Sequence, residues 1–207
     1  MNFPTKITVS RIVLTPLFFV FFMLPSWALF AAGDLSERTL FILNVVSTAA
    51  AWLFLVMAEL SDAADGFIAR RYHLVTDLGK LLDPFSDVLI HITYFLCFTA
   101  AGLMPFWVLA VILYREFSQL FIRMLSLKSG TVVPANIWGK SKSVLYAAAS
   151  IAGLAAESVF RFAPDLNAAV SEYIGMGLTV LFTAAAVASV VSFLTYLVPF
   201  LKMHSAD

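Results

Sequence analysis

Asp62-x2-Asp65-Gly66-x2-Ala69-Arg70-x8-Gly79-x3-Asp83-x3-Asp87 gathers eight residues of chemical consequence into 26 positions of a 207-residue chain. Asp62 and Asp65 are three apart and Asp83 and Asp87 four apart, spacings that put each pair on one face of a helix. Two helix ends could then bring four carboxylates together. Such a group repels itself unless cations neutralise it, and sites built from oxygen favour hard divalent ions such as Mg2+ or Mn2+. A pair of divalent cations is the economical expectation. In two-metal sites the ions sit about 3.5 to 4 Å apart and clamp the attacking and leaving oxygens of a phosphoryl displacement. The substrate should therefore contain phosphate.

Between the acidic pairs, Gly66 and Gly79 permit close backbone approach to a ligand, and Arg70 offers a planar fork of donors suited to phosphate oxygens. Ala69 keeps that wall thin. Taken singly, each residue has an ordinary explanation: Asp62 as a helix cap, the glycines as helix ends, Arg70 and Arg71 as charges flanking a membrane span. Taken together, four ionisable groups on two helix faces at a membrane boundary are expensive, and such groups face a cavity or a partner.

The elements that must position these residues are membrane helices. Hydrophobic residues make up 61% of the chain, charged residues only 13%, and the mean hydropathy is +0.93, values that exclude an ordinary soluble domain. Apolar runs near the spanning length fall at about 12–32, 40–60, 82–104, 105–127, 143–160 and 174–201. The expected fold is all-α: one domain over 1–207, a polytopic bundle of six transmembrane helices. The last run exceeds one span and should tilt, bend near Pro199 or emerge from the membrane. Lys6, Arg11, Arg70, Arg71, Lys80, Arg123, Lys128, Lys140, Lys142 and Lys202 fall on one side, and Arg38 and Arg161 on the other. The positive-inside rule then puts both termini, and the carboxylates, at the cytoplasmic face of the cell (inner) membrane. The N-terminal apolar run is longer than a signal-peptide core and is expected to be a retained span.

The run from Asp62 to Asp87 resembles the signature of the CDP-alcohol phosphotransferases, membrane enzymes that join an alcohol to a phosphatidyl or related group and release CMP. All eight signature positions match. The resemblance implies that Asp62, Asp65 and Asp83 hold two metals and that Asp87 contacts the metal site and acts as general base. Gly66, Ala69, Arg70 and Gly79 would line the pocket for the cytidine diphosphate, with Asp62 and Thr8 beside them. Asn2, Pro4, Thr8 and Arg11 are also similar to the opening of the phosphatidylglycerophosphate synthase branch. Thr8 and Arg11 read equally well as a helix-start residue and an interfacial anchor.

Downstream, Arg115 and Glu116 lie mid-way along the fourth apolar run, with Gln119 and Arg123 following on the Arg115 face. Gly139-Lys140-x-Lys142 opens the fifth run. With Gly130 these residues resemble the same branch, whose acceptor is glycerol 3-phosphate; Arg115, Arg123, Lys140 and Lys142 would then bind the acceptor's phosphate. Arg115 and Glu116 could instead be satisfied by a neighbouring helix, and the lysines could be topological or lipid-headgroup charges. Ser86 and Val88 depart from the Ala and Lys usual in that branch, which leaves inositol phosphate, serine or phosphatidylglycerol open as acceptors. An ion-coupled transporter is the reading outside enzymology. The expected reaction is transfer of the phosphatidyl group of CDP-diacylglycerol to glycerol 3-phosphate.

Elsewhere the chain is quieter. Cys97 reads as a small packed side chain, and His91, one turn beyond Asp87, reads first as a packed membrane histidine and otherwise as a group that could assist proton transfer or metal binding. Ala184, Ala188 and Ser189 permit close helix packing, within the bundle or across a homodimer. No nucleic-acid signature or internal repeat is present.

Overall fold

The computed structural model describes residues 3–71, 77–128 and 137–204; within them, the side chains of 3–5, 63, 65–70, 77–78, 80–81, 127–128, 137–138 and 202–204 lie outside the described set. The described residues form six α-helices: α1 Phe3–Ala32, α2 Glu37–Arg71, α3 Asp77–Ala100, α4 Phe106–Lys128, α5 Ile137–Phe162 and α6 Ala168–His204. Each expected apolar run corresponds to one helix.

Helix ends have local causes. Gly33 follows α1 in the left-handed region at φ 71°, and its N–H bonds to the Leu29 carbonyl at 3.0 Å, a glycine C-cap. Ser36 caps α2, its Oγ accepting the Thr39 N–H at 3.2 Å. α3 stops at Ala100, short of the expected 104, because Gly102 turns left-handed at φ 76°. Pro105 then opens α4 through its carbonyl, which accepts the Val108 N–H at 3.0 Å. α6 continues as helix past Pro199 to His204.

Among the described residues, four helices are long and apolar enough to cross a membrane: Lys6–Ala32, Glu37–Asp62, Gly139–Phe162 and Ala168–Leu201. The protein is a multi-pass membrane protein. α3 and α4 fall short in composition because they carry Asp83 and Asp87, and Arg115, Glu116 and Arg123. Large apolar side chains such as Phe30, Tyr114, Phe117 and Tyr173 face outward, as expected where the surrounding solvent is lipid.

The chain divides into two compact units. The first comprises Met1–Phe98 with Leu154–Leu166. Here α1 packs along α2, and Ala51, Leu55 and Ala58 form a buried stripe at helical spacing. Phe18 meets Tyr94 edge to face with centroids 4.5 Å apart, and Phe22 meets Phe98 at 5.9 Å. Arg161 locks the C-terminal end of α5 into this unit: it donates to Glu157 at 2.7 Å, to the Phe22 carbonyl at 2.8 Å and to Ser47. Trp52 adds a 3.0 Å bond from its indole to Ser158. In the second unit, Thr99–Gly153 with Asn167–Asp207, the core is Val108, Leu109 and Ile112 of α4, Tyr146 and Ala149 of α5, and Leu178, Phe182 and Ala185 of α6.

Candidate active site

In the first unit, one face of α1 delivers two donors to two other helices. Thr8 and Arg11 lie one turn apart and are each about 1% exposed. Thr8 Oγ1 donates to Asp83 Oδ1 on α3 at 2.6 Å. Arg11 Nη1 pairs with Asp62 Oδ1 on α2. The Asp62 side chain is 55% exposed, so it presents a carboxylate to the outside while a buried guanidinium fixes it from behind. One turn on, the Thr15 hydroxyl donates back to the Arg11 carbonyl at 2.9 Å. Ser86 Oγ bonds back to the Asp83 carbonyl at 3.0 Å and so shapes the turn between Asp83 and Asp87.

Asp87 is half-buried and faces His91, one turn further along α3. His91 Nδ1 lies 2.9 Å from the Asp87 carbonyl oxygen and 3.2 Å from its Oδ1. The other ring nitrogen lies 3.6 Å from Glu59 Oε1 on α2. Glu59 was missed in the sequence, although it sits three residues before Asp62, one helical turn away and on the same side.

Asp65, Gly66, Ala69 and Arg70 lie on α2, but their side chains fall outside the described set; Gly79, in the first turns of α3, is half-buried. Among the described residues no three acidic, histidine or cysteine side chains converge on a metal position. The donors themselves suit hard divalent cations: Asp62, Asp83 and Asp87 present carboxylate oxygens, and none is committed to a soft ligand.

The second unit holds a buried charge cluster. Glu116 Oε1 accepts from Arg115 Nη1 at 2.8 Å, Lys142 Nζ at 2.9 Å and Tyr146 OH at 2.8 Å. Arg115 also reaches α6, bonding the Ser189 carbonyl at 2.8 Å and Ser192 Oγ at 3.2 Å. Lys142 stands over the Tyr146 ring, 4.4 Å from its centroid. Arg115 is thus bonded to a neighbouring helix, as the structural reading of this residue allows. Two cations share the Glu116 carboxylate. Arg123 is half-buried and Lys140 exposed.

The sequence profile described as CDP-alcohol phosphatidyltransferase matches residues 1–191. The chain belongs to this family. Relatives agree: the chain is 37% identical over 143 residues to the CDP-diacylglycerol–glycerol-3-phosphate 3-phosphatidyltransferase of Bacillus subtilis (strain 168), covering 69% of this chain and 70% of that protein. It is 35% identical over 157 residues to the protein of the same name from Treponema pallidum (strain Nichols), covering 75% of this chain and 69% of that one. A probable phosphatidylglycerophosphate synthase of Mycobacterium tuberculosis (strain ATCC 25618 / H37Rv) is 30% identical over 148 residues, covering 72% of this chain and 63% of its own length.

As a CDP-alcohol phosphatidyltransferase, the chain is an enzyme whose signature falls on α2 and α3. The family frame leaves the transporter reading without support. Of the signature carboxylates, Asp62 and Asp83 are each fixed by α1, and Asp87 by a histidine of its own helix. The Thr8 and Arg11 contacts could be suspected from the short N-terminal resemblance; nothing in the sequence pattern points to Glu59 alone.

Proposed function

We propose that this protein transfers the phosphatidyl group of CDP-diacylglycerol to the primary hydroxyl of glycerol 3-phosphate, giving phosphatidylglycerophosphate and CMP in phospholipid biosynthesis. The observation that carries this reading is the complete eight-residue signature within a chain 37% identical, over 143 residues, to a relative named for that reaction.

Asp62, Asp65, Asp83 and Asp87 would hold two divalent cations, Mg2+ or Mn2+, which when bound polarise the pyrophosphate and neutralise charge on the departing CMP. The chain's own residues do the rest. Arg11 orients Asp62 and Thr8 orients Asp83, so the carboxylates are set before substrate arrives. Gly66, Ala69, Arg70 and Gly79 line the cytidine diphosphate pocket. Asp87 takes the proton of the acceptor hydroxyl as that oxygen bonds to the lipid-side phosphorus and the bond from that phosphorus to CMP breaks. Arg123, Lys140 and Lys142, with Arg115, hold the acceptor phosphate through charge-assisted hydrogen bonds.

The same reading makes all six helices spans of the inner membrane. Both termini, and the active site, face the cytoplasm, where glycerol 3-phosphate and CMP are soluble; the distribution of basic residues supports this orientation. The enzyme is read as a homodimer, with the small residues Ala184 and Ala188 of α6 suited to close helix packing.

Expression in a bacterium depleted of its own phosphatidylglycerophosphate synthase tests the proposal. Restored growth with restored phosphatidylglycerol is expected. Expressed protein that leaves CDP-diacylglycerol accumulating would count against it.

A further inference from the structure

A buried imidazole must find partners for its nitrogens, and those found by His91 are informative. The ring is 5% exposed and packs edge-on to Tyr94, with centroids 6.0 Å apart, and against Phe95 at 6.4 Å. Two oxygens face Nδ1: the Asp87 carbonyl at 2.9 Å and Asp87 Oδ1 at 3.2 Å. A carbonyl and a carboxylate only accept, so Nδ1 carries a proton and shares it between them. Helical spacing alone would bring His91 near Asp87. Helical spacing does not explain Glu59, which approaches the opposite nitrogen from another helix, Oε1 lying 3.6 Å from Nε2. The ring therefore lies against an aromatic wall, bonded to the Asp87 carboxylate on one side and approached by the Glu59 carboxylate on the other, with its donor aimed at the side chain proposed as general base.

We infer that His91, backed by Glu59, is a positioning residue that holds the Asp87 carboxylate in the orientation from which it takes the acceptor's proton. The inference rests on the phosphatidyl-transfer reading and adds two residues to it. Without the Nδ1–H donor, Asp87 would lose one restraint on rotation about its side-chain bonds, and fewer encounters would find its other oxygen aligned with the hydroxyl. Glu59 acts one step further out by fixing the ring plane, as a carboxylate behind a histidine does in many sites.

The test compares purified full-length wild type with His91→Phe, His91→Asn, His91→Gln and Glu59→Gln, using CDP-diacylglycerol and glycerol 3-phosphate. Phe keeps the ring and removes the donor; Asn places an amide N–H near the Nδ1 position, and Gln places one near Nε2. His91→Phe should lower kcat roughly tenfold to a hundredfold and leave KM for both substrates within about twofold. His91→Asn should recover most of kcat and His91→Gln should not, a split that a merely space-filling role cannot produce. Glu59→Gln should give a smaller loss of kcat in the same direction. Wild-type kcat in His91→Phe, or Asn and Gln equally impaired, overturns the inference. A second readout needs neither turnover nor a His91 variant: in protein labelled with 15N at histidine whose other two histidines are replaced, as His73→Gln and His204→Gln, the one remaining imidazole should show a protonated Nδ1. A bare Nδ1 there overturns the inference even if the variants fail to fold. Wild-type protein that releases no CMP would overturn the transfer reading and this inference with it; an active wild type beside unaffected variants would overturn only the inference.

Discussion

Thr8 and Asp83, 75 residues apart in the chain, share a 2.6 Å hydrogen bond between α1 and α3. The bond joins a hydroxyl that is almost fully buried to a carboxylate of the signature, and one turn along the same helix Arg11 does likewise for Asp62. α1 thus acts as a support for acidic residues it does not itself carry. A bond from a neutral hydroxyl leaves the Asp83 charge in place and restricts only its direction, which suits a group that must also face a cation.

Removing that support should cost activity more than fold. Thr8→Val keeps the branched shape and deletes the donor, so stability should fall by only about 1 kcal/mol while kcat/KM falls roughly tenfold or more. Thr8→Ser, which restores the hydroxyl, should stay close to wild type. Thermal unfolding and steady-state kinetics on the three proteins separate the two effects.

Glu116 should matter in the opposite proportion. Its single oxygen Oε1 takes bonds from Arg115, Lys142 and Tyr146, all buried. Glu116→Ala withdraws the counter-charge from two buried cations, and breaking a buried ionic group in this way costs about 3 to 5 kcal/mol. A lower unfolding temperature in detergent is expected, with a loss of folded yield. An unfolding temperature equal to that of wild type would mean that the cluster contributes little to the second unit.

Arg123 and Lys140 are the less buried basic residues of the proposed acceptor set. Charge removal at either, as Arg123→Gln or Lys140→Gln, should raise KM for glycerol 3-phosphate roughly 10- to 150-fold, in keeping with loss of one charge-assisted bond of about 1.5 to 3 kcal/mol. KM for CDP-diacylglycerol should not move. A change in the lipid KM alone would remove these residues from the acceptor pocket.

Chelation provides a separate check on the carboxylates. EDTA treatment followed by gel filtration should abolish turnover, and Mg2+ or Mn2+ should restore it, whereas Asp83→Asn should resist restoration at any metal concentration. Full activity after chelation would show that Asp62, Asp65, Asp83 and Asp87 do not depend on a divalent ion.

How far these features were legible in the sequence depends on their range. Asp62, Asp65, Asp83 and Asp87 announce themselves through three- and four-residue spacings, which are properties of one helix and need no tertiary information. The six helices follow from apolar runs for the same reason, and the misjudged end of α3 lies at Gly102, where a left-handed turn overrides an apolar stretch. What was hidden is long-range. The bonds from Thr8 to Asp83, Arg115 to Ser189 and Ser192, and the approach of Glu59 to His91 depend on how each helix is rotated against its neighbour, and composition carries no record of that rotation. His91 shows the limit well: its aromatic packing matched the expectation of a packed histidine, yet its donor points at Asp87.

The most direct measurement is CMP release by purified, detergent-solubilised protein given CDP-diacylglycerol and Mg2+ or Mn2+, with glycerol 3-phosphate, inositol phosphate, serine and phosphatidylglycerol supplied one at a time and the lipid product identified by mass. CMP released with glycerol 3-phosphate alone, in step with phosphatidylglycerophosphate, is the expected result. CMP released only with another alcohol would contradict the proposed acceptor, and folded protein that releases none with any of them would contradict the proposed reaction.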